Sequence, residues 1–308
     1  MTGRSIITLF AVCWLMAGCA TDETPGDQQA DAEAQSGTHR IIALGGSVTE
    51  TVYALGLGEN LVAVDISSTW PEKATELPQV GYQRTLSAEN ILALAPTLVL
   101  GSTEAGPPTA ITQLRDAGTE VVIVPGEPTV ESIHGKIMGV ANALNVPEKG
   151  KELIRAMDDA IATAKEQNEA RTVTPPRVLF IYSRGSGSVH VSGAKTSADL
   201  MLGLAGAENA VQDYEGFRPL TAEGVIAAAP DIILLPEKGL EMLGGTEGLM
   251  KIPGISGTPA GKNGAIITMD DLYLLGLGPR TGDAVLELSR LLHAGDTTEP
   301  IAAENAGA

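Results

Sequence analysis

Basic residues are in short supply: 20 Lys and Arg stand against 38 Asp and Glu in 308 residues, a formal net charge of −18. That balance excludes a nucleic-acid partner, whose phosphates demand a basic face, and reads instead as solubility. Aromatic residues make up only 3% of the chain, so each Tyr, Trp and Phe calls for separate inspection. The four histidines are scattered and no H-E-x-x-H occurs, which disfavours a zinc centre and a manganese or zinc carrier. No G-x-S-x-G and no P-loop ending is present, and the turn LGGS, Leu44 to Ser47, lacks the rest of G-x-G-x-x-G. With these signatures missing, no enzymatic activity is expected.

Long apolar runs are missing too, with one exception at the start. Arg4 precedes IITLFAVCWLMAGC, Ile6 to Cys19, which is too short for a comfortable bilayer span and ends in small residues. The ending Ala17-Gly18-Cys19 resembles the lipobox of bacterial lipoproteins. It implies a signal peptide over residues 1–18 and Cys19 as the lipid-bearing mature N-terminus. Cys13 leaves with such a signal, and a lone Cys19 excludes a disulfide framework. Residues 19–37 are polar and acidic without apolar periodicity, a composition that cannot bury a core and is expected to act as a tether. The expected location is the cell envelope, on the periplasmic or extracytoplasmic face, with the lipid holding the protein to a membrane.

The remaining chain has the makings of a large core, since 44% of all residues are apolar. Short β-branched runs such as RIIALGG and TLVLGS alternate with helical patterns such as SVTETVYALGLG, where Ser47 is the expected N-cap. Near-continuous apolar strands alternating with helices predict an α/β fold with parallel sheets covered on both faces. The pattern runs over residues 38–145, gives way to one long helical pattern within 146–174, and resumes over 175–293 before a flexible tail at 294–308. In the middle stretch Leu153, Met157, Ile161 and Ala164 form an apolar stripe, and Pro175-Pro176 stops it. Two segments repeat: GYQRTLSAENILALAP and GFRPLTAEGVIAAAP align Arg84 with Arg218, Glu89 with Glu223 and Pro96 with Pro230, at an offset of 218 − 84 = 134. Tyr82 meets Gly216 in that alignment. The expected architecture is two similar α/β lobes joined by one long α-helix, with a ligand cleft between them.

The two lobes, the helical connector, the lipobox and the twin [ST]AE…AP helices together resemble the bacterial ABC-transporter substrate-binding proteins for cobalamin, ferric siderophores and haem. More narrowly, GYQRTLSAENILAL, EAGPPTAITQLRDAG, VSGAKTSADLMLGLAGAENAV and LLGLGPRTGDAVLELSRLLH look like the haem-binding branch. The likeness covers residues from about 38 to 293. It implies haem b as transported ligand, an ABC permease dimer with its ATPase as partner, and Tyr82 as axial ligand to the haem iron. From the residues alone, Tyr82 follows a glycine and precedes the Ser87 cap, which sets it on a loop opening a helix at a sheet edge, where α/β proteins bind ligands. A phenol is a good ligand for ferric iron once deprotonated.

Arg84 is a candidate either to favour the phenolate or to hold a haem propionate by paired charge-assisted hydrogen bonds. Arg184, Lys238 and Arg280 are further candidates for propionate or phenolate contacts under the same resemblance, and Tyr214 for a contact on the second face. Arg280 also suits an ion pair at a helix start. His190 in SVHVS reads as a structural strand residue, and His134 as a surface one. Glu89 and Glu223, at matching places on twin helices, are implied to dock on the two-fold permease. The competing reading on this scaffold is a ferric siderophore or cobalamin; a siderophore supplies its own iron ligands, so Tyr82 is then incidental and the cleft arginines dominate.

Overall fold

The computed structural model describes residues 39–183 and 189–294. Arg184, Cys19, the proposed signal and tether, and the tail from residue 295 lie outside the described residues.

The first lobe alternates strand and helix: β1 (Ile41–Leu44), α1 (Gly46–Ala54), β2 (Leu61–Val64), α2 (Ala88–Leu92), β3 (Leu98–Ser102), α3 (Pro108–Asp116), β4 (Glu120–Val124) and α4 (Val130–Ala143). Its strands pair in parallel in the order β2-β1-β3-β4. Successive β1 side chains serve opposite faces: Ile41 and Ala43 join one apolar cluster, Ile42 and Leu44 the other. Helices cover both faces, which is why the strands are apolar without alternation.

α5 (Pro147–Glu169) starts with proline at its first turn, where the missing N–H costs nothing, and leads into the second lobe. Met157 and Ala164 of its apolar stripe are buried and Leu153 and Ile161 pack beside them. The second lobe contains β5 (Arg177–Ser183), β6 (Val189–Ser192), α6 (Ser197–Leu204), β7 (Phe217–Pro219), α7 (Ala222–Ala228), β8 (Ile232–Pro236), α8 (Glu237–Met242), β9 (Ile266–Met269), α9 (Asp271–Leu275) and α10 (Thr281–Leu292), with further short helices at Gly245–Met250 and Pro259–Asn263. Its sheet runs β9-β8-β5-β6-β7, and the Glu208–Asn209 pair adds to β5. Ile133 and Ile137 of α4 share the core of this lobe with α5 and α10, so the cores meet around the connector.

Two local expectations differ from what is observed. The second sheet is mixed, because β5 to β6 and β6 to β7 are antiparallel while β5, β8 and β9 are parallel. Consecutive strands five residues apart leave no room for the helix that a parallel crossover needs. Ser47 is not the cap of α1: the N-cap is Gly45, without a side-chain bond, and the Ser47 hydroxyl inside the helix accepts from Lys136 Nζ at 3.0 Å. Among the described residues no helix is long and apolar enough to cross a membrane.

Candidate functional site

Residues from both lobes line a cavity of about 890 Å³. The first lobe contributes Tyr82, Gln83, Arg84, Glu104 and Lys136, and the second Tyr182, His190, Phe217, Lys238 and Leu277. Such a volume suits a large organic ligand rather than an ion.

The Tyr82 loop is held from several sides. Val64 and Val80 exchange backbone contacts as Val80 N donates to Val64 O at 2.9 Å, and Ile66 N reaches Gly81 O at 3.0 Å, so the segment runs alongside β2. Gly81, at φ 97, takes a left-handed conformation that a side chain would strain, and this turns Tyr82 out at the sheet edge. Behind the loop lies Asp65, fully buried. Its carboxylate accepts from Gly45 N at 2.9 Å, Ser68 Oγ at 3.0 Å, Gln83 N at 3.3 Å and both donors of Ser67. Gly106 closes the other side: its N donates to Gln83 O at 2.8 Å and its O accepts from Leu86 N at 2.8 Å. Gln83 Oε1 is buried without a protein hydrogen-bond partner.

Arg84, two residues on, donates from Nη2 to Glu104 Oε1. Both side chains stand on the cavity wall. Lys136 is a buried cation, 4% exposed, although α4 presents it beside the apolar Ile133 and Ile137. Its Nζ donates to Ser47 Oγ at 3.0 Å, Leu277 O at 2.9 Å and Gly276 O at 3.4 Å, so the ammonium spans the two lobes. Burial pushes its pKa down to about 8, against the pull of Glu104, Glu50 and Glu127.

The second lobe supplies an aromatic wall. β5 and β6 pair Tyr182 with His190, and β7 brings Phe217 beside them, its ring 5.9 Å from that of Tyr182. Phe180 stacks behind Tyr182 at 6.4 Å. Lys238 is exposed on the first turn of α8.

The other candidates fall elsewhere. Arg280 is not on the cavity wall: its Nε donates to Glu50 Oε1 at 3.1 Å, Nη2 reaches the same oxygen, and the guanidinium lies 4.8 Å from both the Trp70 and Tyr273 rings. Glu50, buried in the facing lobe, needs a counter-charge, and Arg280 supplies it, as the ion pair at a helix start that its position also suited. Tyr214 also stands off the wall, with its hydroxyl donating to Val191 O at 3.1 Å and Arg218 stacked 4.2 Å over its ring. Its phenol is pushed up in pKa, chiefly by burial and then by Asp213. His134 pairs with Asp158 of α5 at 2.8 Å. His190, read as a structural strand residue, also lines the wall.

Glu89 and Glu223 lie in the first turns of α2 and α7, both exposed. Capping is done by the residues before them: Ser87 accepts from Asn90 N at 3.3 Å and Thr221 from Gly224 N at 3.1 Å.

The sequence reading missed Lys136, Tyr182 and Phe217. Lys136 had a signal, since a lysine three residues after Ile133 and four before Val140 interrupts an apolar helix face. Tyr182 and Phe217 had none, because their meeting depends on strand partners far apart in the chain. The assembled site offers a phenol beside a guanidinium on one wall and aromatic faces on the other. Among the described residues no group of three or more His, Cys, Asp or Glu could hold a metal ion.

Residues 41–273 match the family model described as periplasmic binding protein. The solved structure of the periplasmic haem-binding protein RhuT from Roseiflexus sp. RS-1, in apo form, is similar at a TM-score of 0.82 and 46% identity, over 85% of this chain and 100% of that one. The uncharacterized ABC transporter substrate-binding lipoprotein YvrC of Bacillus subtilis (strain 168) is 27% identical over 256 residues, 82% of this chain and 80% of the relative. A vitamin B12-binding protein of Pectobacterium carotovorum subsp. carotovorum (strain PC1) is 28% identical over 197 residues, 64% of this chain and 70% of its own length. The family and these neighbours are binding proteins, not enzymes.

Proposed function

The chain belongs to the periplasmic binding protein family, and from that premise we propose that it is the substrate-binding component of an ABC haem importer, with Tyr82 as axial ligand to ferric haem. The observation that carries this reading is Tyr82 itself, set on the cavity wall by a loop clamped through Asp65 and Gly106. A porphyrin is flat, largely apolar and edged by two carboxylates. Tyr182 and Phe217 offer faces for the ring, while Arg84 and Lys238 offer cations for the edge. The phenolate of Tyr82 supplies a charged oxygen to the iron. The haem-binding neighbour supports the same ligand at 46% identity.

Delivery needs a partner in the membrane. Glu89 and Glu223, exposed on twin helices, present one carboxylate from each lobe and suit a two-fold permease with basic residues at its surface. A lipid on Cys19 keeps the protein beside that permease, as the lipoprotein relative suggests.

A second reading, cobalamin, is favoured by the vitamin B12-binding relative. A ferric siderophore is the third possible cargo on this scaffold. The test is titration of the full chain with hemin, cobalamin and ferrichrome, followed by tryptophan fluorescence and visible absorption. Hemin is expected to bind with a tyrosinate-type, high-spin spectrum that Tyr82→Ala removes. An unchanged hemin spectrum in Tyr82→Ala overturns the ligand assignment, and binding of cobalamin or ferrichrome in place of hemin overturns the cargo.

A further inference from the structure

We propose that Glu104 is a specificity-determining residue that pairs with Arg84 and must yield it when a ligand carboxylate arrives. This rests on the reading above, in which the cargo carries carboxylates.

The pairing is built into the fold. Arg84 belongs to the Tyr82 loop and Glu104 to the turn after β3, and Gly106 stitches the two together through Gln83 O and Leu86 N, both at 2.8 Å. Glu104 N donates to Ser102 Oγ at 3.3 Å, which fixes the turn from its other end. The guanidinium and the carboxylate are therefore brought together by backbone geometry, and both face the cavity.

The pair is also easy to break. Their side chains are 55% and 42% exposed, so water screens the attraction and the bond contributes little. A ligand carboxylate can take the guanidinium with two parallel hydrogen bonds. Glu104 is then left beside a second negative charge and without its partner. Like charges so placed weaken binding, and they do so only for ligands that are themselves anionic. Lys136 attracts Glu104 and eases the conflict only in part, since its ammonium is 4% exposed and its hydrogen bonds go to Ser47, Gly276 and Leu277. Glu104 thus holds affinity for a dicarboxylate porphyrin below what the rest of the cavity permits, which favours release.

The experiment compares the full chain with Glu104→Gln, titrating each with hemin and with hemin dimethyl ester, whose carboxylates are masked. Glu104→Gln is expected to bind hemin about two- to fivefold more tightly, the size of an exposed charge pair, and the ester unchanged. The gain should shrink as salt is raised and vanish in an Arg84→Gln background, as a coupled pair requires. Hemin affinity that is unchanged or weaker in Glu104→Gln overturns the inference, and so does an equal gain for the ester. Failure of hemin to bind the wild-type chain overturns the cargo reading and this inference with it.

Discussion

Glu50 and Arg280 face each other from different lobes, and neither is comfortable alone. Glu50 is 4% exposed, and burial pushes its pKa up, while the hydrogen bond and charge of Arg280 pull it back down. Arg280 is fixed in turn by the rings of Trp70 and Tyr273. Removing the cation leaves a buried carboxyl without a counter-charge, so Arg280→Ala should cost about 2–4 kcal/mol. Urea unfolding checks this as a lower midpoint with an unchanged slope. Arg280→Lys should recover only part of the loss, because an ammonium cannot bond through two nitrogens and stack between two rings at once. The sign of the pH dependence follows from the raised pKa of Glu50. Above 4.5 the unfolded chain releases a proton that the folded chain still holds, so this residue's contribution to stability falls as pH rises towards its folded pKa. In Arg280→Ala that fall should continue to higher pH.

At the level of elements, the connector is braced against the second lobe where α10 crosses α5. A Cβ on Gly282 would lie 2.6 Å from Met157 O and 2.8 Å from Ala160 Cβ, distances at which one helix must move. Gly282→Ala should therefore destabilise by about 1–3 kcal/mol, the usual cost of overpacking, and thermal unfolding measures it. The α5 stripe that meets this crossing was readable, since Met157 and Ala164 recur at helical spacing and do form the buried face. The first sheet was readable for the same reason: its strands follow one another with helices between. β5 and β6 broke the pattern, because strands only five residues apart in the chain pair antiparallel, and only that pair sets Tyr182 against His190. The site divides the same way. Tyr82 and Arg84 sit on one contiguous loop and could be named together, and both line the cavity. Arg280 and Tyr214 are engaged by Glu50 and Val191, partners that no local spacing discloses.

Across the whole molecule, Lys136 joins Arg280 as a cation that ties one lobe to the other. It reaches from α4 to the carbonyls of Gly276 and Leu277, and Leu277 holds a left-handed φ of 51, an uncommon conformation for a bulky side chain. The charged groups that act on it are Glu104, Glu50 and Glu127, yet burial outweighs their attraction and its pKa falls from 10.5 to about 8. Between those two values the unfolded chain binds the proton and the folded chain has lost it. Stability must then rise with pH across this window, since it increases wherever the unfolded state holds more protons. Integrated from pH 7.5 to 9.5, the rise amounts to about 2 kcal/mol. Tyr214 and Tyr273, whose pKa values burial raises, oppose the trend only near and above pH 10, which is why the window stops short of it. The measurement is denaturant unfolding of wild type and Lys136→Met at several pH values in that range. The wild type should gain on the variant as pH rises, by about 2 kcal/mol in all. A difference that stays flat would show that the ammonium keeps its ordinary affinity for the proton, and that the contacts joining the lobes through Ser47, Gly276 and Leu277 fully offset its burial.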